Sequence, residues 1–278
     1  MSTTATGVVY TEEYSTTSDG GACRWYMRDD RKDTLDQVPL LLFVHGGGGN
    51  VDSFGFSGWV WLREALINAG WAVVEGDGGG PSNWGGPTAQ GLYLEMFDWV
   101  STKIIPGVLV IMGQSMGGIA AYNLAGQSIL ESRHSALIIE NGTTDLTQRY
   151  SDHARAAYPA MNAAYGVPGA TYQPELFDPA AQPYDPMQFP ESMWAGKNVR
   201  QVWGAQDDSV EPGPHGQAWV TKYGTSTMST SVFINDPGGH NPLKADQLST
   251  FDYMQALLPP RPPLPERVYT VRRLNMIT

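Results

Sequence analysis

Residues 107–118, GVLVIMGQSMGG, constrain this chain more than any other stretch. An apolar run of strand length enters Gly113, Gln114, Ser115, Met116, Gly117 and Gly118, and leaves as IAAYNLAG, which reads as helix. A serine with a glycine two positions to either side, set between strand and helix, requires a sharp turn that forces strained backbone angles on the serine. The glycines let the neighbouring strand and helix approach closely enough to tolerate that turn. In a chain with 32 glycines the bare pattern is only moderately specific; the strand before it and the helix after it make it strong.

The rest of the chain fits a sheet that could present such a turn. GVVYTEEY and ACRWYMRD, separated by STTSDGG, read as an antiparallel hairpin at a sheet edge. Then come short apolar runs of the kind buried on both faces of a parallel sheet: VPLLLFVH, WAVVEG, GVLVIMG, SALIIE, VRQVWG and TSVFIND. Between them Trp59, Leu62 and Leu66 share a helical face before a Gly70 stop, and Tyr93, Met96, Phe97, Val100 and Ile104 share another. Alternating strand and helix predicts a doubly wound, mostly parallel α/β sheet of about eight strands, with its site at the carboxyl ends of the strands.

Residues 143–195 break this rhythm. They are long, rich in Tyr, Pro, Ala and Met, and too extended for a plain connection. They are expected to form an inserted cap that walls the site with Tyr158, Met161, Tyr165, Tyr172 and Phe177, so that residues 1–142 and 196–258 make the core. Residues 259–278 start proline-rich and carry four arginines against one glutamate, a basic extension on an acidic body. Docking onto the body or onto a second copy, giving a homo-oligomer, stands beside a solvated tail.

Composition narrows the function classes. With 278 residues, 41% hydrophobic and 16% charged, the chain supports one substantial core without disulfide or metal staples. Its single cysteine, Cys23, reads as a small buried hydrophobe, and its five histidines lack the spacings of a zinc site. A net charge of −11 makes nucleic acid a poor partner. The start lacks the basic and apolar segments of a signal peptide, and no apolar stretch reaches the ~18 residues of a membrane span. A soluble protein is expected, with the compartment open between cytoplasm and release or virion association by another route.

At the serine turn the sequence resembles the α/β-hydrolase superfamily, most of all its esterase and lipase branches, and the resemblance runs from the first hairpin to the last helix. It implies a serine nucleophile at Ser115. His45 followed by Gly46, Gly47, Gly48 and Gly49 is similar to the family's HGGG run, which implies an oxyanion-hole amide from Gly47 or Gly48 and a second from Met116. A phosphate loop would need a Lys and a Ser or Thr after the glycines, and they are missing. The family order of serine, acid and histidine implies Asp207, in GAQDDSV, as the acid, with Asp208 and Asp145 as further candidates, and His240, in PGGHNP, as the base. His215 reads as part of a surface turn. Trp84, Gln114 and Tyr158 are candidates for substrate contact, and Asp77, Ser82 and Asn83 share the loop of Trp84.

The resemblance implies hydrolysis of a carboxylic ester through an acyl-enzyme, without cofactor or metal, on a small-molecule or an envelope- or polymer-linked substrate. Acyl transfer or amide cleavage would use the same residues. A non-catalytic binding or structural protein on the same fold is the alternative of a different class.

Overall fold

The computed structural model describes residues 2–32, 36–55, 58–152, 157–227, 229–235 and 238–259. The expected basic extension lies almost wholly outside them. Nine strands form one sheet: β1 (Ser2–Thr3), β2 (Val9–Thr16), β3 (Ala22–Arg28), β4 (Gln37–Val44), β5 (Ala72–Gly76), β6 (Ile105–Gln114), β7 (Ala136–Glu140), β8 (Asn198–Gly204) and β9 (Ser229–Asn235). Their spatial order is β1-β2-β3-β5-β4-β6-β7-β8-β9. The first three strands and the β3–β5 pair are antiparallel, and every pairing from β5 through β9 is parallel. The hairpin and the six apolar runs become β2 to β9. The ninth strand, β1, is two polar residues paired with Val9 and Tyr10, too short and too polar to carry an apolar signature.

Helices cover both faces. Leu40, Leu42 and Val44 of β4 point into a core shared with α2 (Pro87–Ser101), α3 (Gly117–Gln127) and α7 (Ala218–Tyr223). The alternate residues Leu41 and Phe43 point into a second core with α1 (Val60–Ala69) and α8 (Lys244–Ala256). This is the period-two consequence of a strand buried on both sides. Helix α1 ends where Gly70 takes a φ of +89°, the left-handed stop its sequence predicts. Cys23 is 1% exposed in the first core, and burial pushes its thiol up to about 11.

Residues 143–195 hold α4 (Leu146–Ser151), α5 (Tyr158–Ala164) and α6 (Pro174–Ala181). Met161, Tyr165 and Phe177 from this region build a third apolar cluster with Tyr150, Trp84, Met116 and Ile119, which joins it to the beginning of α3. Tyr150 and Phe177 stack with ring centroids 3.8 Å apart, whereas Tyr172 is 42% exposed. Among the described residues no helix is long and apolar enough to cross a membrane.

Candidate functional site

Ser115 sits between the end of β6 and the start of α3 with a φ of +52°. The reason is steric crowding. A Cβ at Gly113 would lie 2.6 Å from the Gly117 carbonyl oxygen, and one at Gly117 would lie 2.4 Å from the His45 carbonyl oxygen. Side chains at either position would push the helix off the sheet and open the turn. Among the described residues three non-glycines have positive φ, Trp84, Ser115 and Asn141. They follow β5, β6 and β7 at the carboxyl edge of the sheet, so local backbone strain is gathered where functional loops cluster.

The last loop brings His240 onto this turn. Its Nε2 lies 2.9 Å from Ser115 Oγ, and its Nδ1 lies 2.8 Å and 3.1 Å from the two oxygens of Asp207. The carboxylate places the imidazole proton on Nδ1, leaving Nε2 to accept the Ser115 O–H. Asp207 is itself buried and accepts the amides of Ser209 and Val210, each at 2.9 Å. Burial opposes its ionisation, but His240 and those amides outweigh burial and hold the carboxyl below its ordinary range.

The other carboxylates are placed differently. Asp208 is exposed, and Asp145 caps α4 by accepting the Gln148 amide at 2.7 Å. Glu140, the last residue of β7, was not singled out by its sequence. It is fully buried, burial drives its pKa well up, and among the described residues neither carboxyl oxygen has a hydrogen-bond partner. Its one visible signal is a charge closing the apolar run SALIIE. Among the described residues no group of three or more His, Cys, Asp or Glu side chains is arranged to hold a metal.

The glycine run wraps over the serine. A Cβ at Gly46 would lie 3.0 Å from Ser115 Cβ. His45 is tied down through Nδ1 to Gly46 O at 2.7 Å and Nε2 to Asp77 O at 2.8 Å. The Gly48 N–H donates to Pro81 O at 2.8 Å, whereas the amides of Gly47 and Met116 make no hydrogen bond among the described residues. Of the two glycines expected to offer an amide, Gly47 therefore has the disengaged one.

Trp84 is 8% exposed; its N–H points at Met116 Sδ, 3.4 Å away, and its carbonyl accepts the Tyr165 hydroxyl at 2.8 Å. Gln114 reaches the same turn, its Oε1 3.4 Å from a Cβ placed on Gly46. Tyr158 packs its ring against Tyr150 and Tyr172, with centroids 5.0 and 5.3 Å away. Asp77 is occupied by the amides of Ala22 and Val51, Asn83 accepts the Gly85 amide, and Ser82 is exposed. His215 does not lie at the surface as its turn-like sequence suggests. It is 1% exposed, because Gly216 lets its π-helical turn settle against the Trp203 ring, and burial holds its imidazole down to about 4.

Asn141 is the residue that sequence reasoning missed most clearly. Buried, with a φ of +46°, it accepts the Gly204 amide on Oδ1 at 2.8 Å and donates from Nδ2 to the His240 carbonyl at 2.9 Å. One side chain thus joins the end of β8, which leads to Asp207, to the loop of His240. Asn141→Ala is expected to lower kcat for any reaction that passes through Ser115 by about 10²-fold with KM little changed, the size of effect that follows from misplacing a reacting group by about 1 Å. Asn141→Asp, which keeps the acceptor and loses the donor, should fall between the two. A raised KM with kcat unchanged would assign Asn141 to substrate binding instead.

No protein-family model and no curated protein matches the chain by sequence. Solved structures do match by fold. Est1E from Butyrivibrio proteoclasticus superposes with a TM-score of 0.63 at 15% identity, over 88% of this chain and 98% of that one. Alpha/beta hydrolase domain-containing protein 10 from mouse gives 0.58 at 15% identity, over 89% and 98%. Pyrococcus horikoshii acylaminoacyl peptidase gives 0.64 at 13% identity, over 88% of this chain but 41% of the peptidase. At these identities the likeness is one of architecture. Sheet order, the strained serine between β6 and α3, and these superpositions lead to one conclusion: the chain has the α/β-hydrolase fold.

Proposed function

We propose that the chain is a serine hydrolase that cleaves a carboxylic ester through an acyl-enzyme on Ser115. The observation that carries this reading is the unbroken series of hydrogen bonds from Ser115 Oγ through His240 to buried Asp207. A serine hydroxyl is a weak nucleophile at neutral pH. His240 Nε2 is set to take its proton as Oγ attacks the ester carbonyl, and Asp207 steadies the imidazolium that forms. The developing oxyanion would be met by the amides of Met116 and Gly47, whose N–H groups are disengaged. His240 then returns the proton to the departing alcohol. In the second half of the cycle it takes a proton from water, the hydroxide oxygen attacks the acyl carbon, and Oγ leaves carrying the proton back.

In this reading residues 143–195 act as a cap, with Trp84, Gln114 and Tyr158 at or near the substrate. The same groups would serve an amide or an alcohol acceptor, so substrate class is a matter for assay. A panel of 4-nitrophenyl esters from acetate to long acyl chains, run beside the matching 4-nitroanilides, tests the proposal. Turnover of esters well above that of anilides is expected. Faster anilide turnover would make the chain an amidase, and no turnover of either class would remove the catalytic reading.

A further inference from the structure

Arg149 is a cation at the edge of this site that makes no ion pair among the described residues. It lies on α4, is half-buried, and donates from Nη1 to the Ser209 carbonyl at 2.8 Å. Its Cζ stands 6.0 Å from the centroid of the Trp84 ring. These contacts fix its place. The Ser209 amide is bound to Asp207, and the Trp84 amide points at the sulfur of Met116, so the guanidinium spans the acid loop and the wall beside the serine turn.

The chain is acidic overall, with 28 carboxylate residues against 17 Lys and Arg, yet among the described residues no carboxylate lies within ion-pair distance of Arg149. The nearby carboxylates are engaged by other groups and act on Arg149 only at longer range: Asp145 accepts the Gln148 amide and Asp152 accepts Gln148 Nε2, each at 2.7 Å, and Asp207 is held by His240. Arg149 Nε is buried and has no partner among the described residues. Burying part of a guanidinium with one neutral acceptor costs free energy that an arriving anion would return.

We infer that Arg149 forms a subsite for a negatively charged group on the substrate, a carboxylate being the simplest, carried on the acyl or the alcohol side of the bond cut at Ser115. This rests on the hydrolase reading and adds the substrate's charge to it. A planar guanidinium offers paired donors matched to a carboxylate, and the face of Trp84 beside it would shield that pair from water.

The test compares substrate pairs that differ in one charge. Mono-4-nitrophenyl succinate against 4-nitrophenyl pentanoate places the anion on the acyl side, and 4-acetoxybenzoate against its methyl ester places it on the leaving side. In at least one pair the anionic-to-neutral ratio of kcat/KM is expected to fall about 10- to 100-fold in Arg149→Met. It should recover partly in Arg149→Lys and decline with added salt in the parent. Unchanged ratios in both pairs, in a folded Arg149→Met or in a folded Arg149→Gln, would overturn the subsite and leave the hydrolase reading standing. If the parent turns over none of these esters, succinate binding to Ser115→Ala, followed by tryptophan fluorescence, decides the matter. Binding that is lost on replacing Arg149 upholds the subsite without the hydrolase, and no binding removes it.

Discussion

Ser115→Ala is expected to lower ester turnover by about 10⁴- to 10⁶-fold, and His240→Ala by a similar factor, with the double variant no slower than either single one. The reason is mechanical. Without the imidazole at 2.9 Å the Ser115 hydroxyl keeps its proton and does not attack, and without the hydroxyl the imidazole has nothing to activate. Groups that act in one step fail together, so their effects do not multiply. Residual turnover in each variant should remain above the uncatalysed rate if the Met116 and Gly47 amides still polarise a bound carbonyl. Multiplicative losses would mean that the two side chains act in separate steps, and an active Ser115→Ala would put the nucleophile elsewhere.

The second large effect concerns what holds the glycine loop in place. Glu75, at 1% exposure near the end of β5, accepts two hydrogen bonds from Arg24 at 2.9 and 3.0 Å, one from the Tyr26 hydroxyl and one from the Phe54 amide at 2.6 Å. Arg24 also reaches Glu12 and Asp52. The segment just beyond the four glycines is thereby fastened to β5 by Glu75 through Phe54, while Asp77 fastens it through Val51. Removing Glu75 leaves Arg24 with only the more exposed Glu12 and Asp52 and takes the acceptor from the Tyr26 hydroxyl and the Phe54 amide. Glu75→Ala is therefore expected to cost about 3–5 kcal/mol, a large share of the 5–15 kcal/mol typical of a folded chain. In thermal unfolding that is a fall in Tm of roughly 10 °C. The double replacement Arg24→Met with Glu75→Met, which leaves no lone charge, should regain much of the loss. A Glu75→Ala variant within about 1 kcal/mol of the parent would show that Glu12 and Asp52 compensate Arg24 without Glu75.

Much of this architecture was legible in the sequence because it depends on local patterns. Apolar runs of five to ten residues name parallel strands whatever surrounds them, and the glycines about Ser115 are demanded by a turn that sequence alone can identify. The order of Ser115, Asp207 and His240 was readable too, through the resemblance of their flanking motifs. What escaped depends on partners far apart along the chain. Asn141 looks like a turn residue after a strand until Gly204 and His240 arrive on either side of it. Gly47 and Gly48 are equivalent as letters and become distinct only when Pro81 takes one amide. His215 reads as surface because PGPHGQ reads as turn, and its burial comes from the contact of Gly216 with Trp203. Arg149 carries no motif, and its meaning lies in the nearby carboxylates being engaged by other groups rather than paired with it.

Covalent labelling with a fluorophosphonate, located by mass spectrometry in the folded parent and in His240→Ala, tests the central claim most directly. Phosphonylation of Ser115 in the parent, slowed by orders of magnitude in His240→Ala and abolished on unfolding, is the predicted result. A folded parent that is not modified at Ser115, or that is modified equally fast without His240, would contradict it.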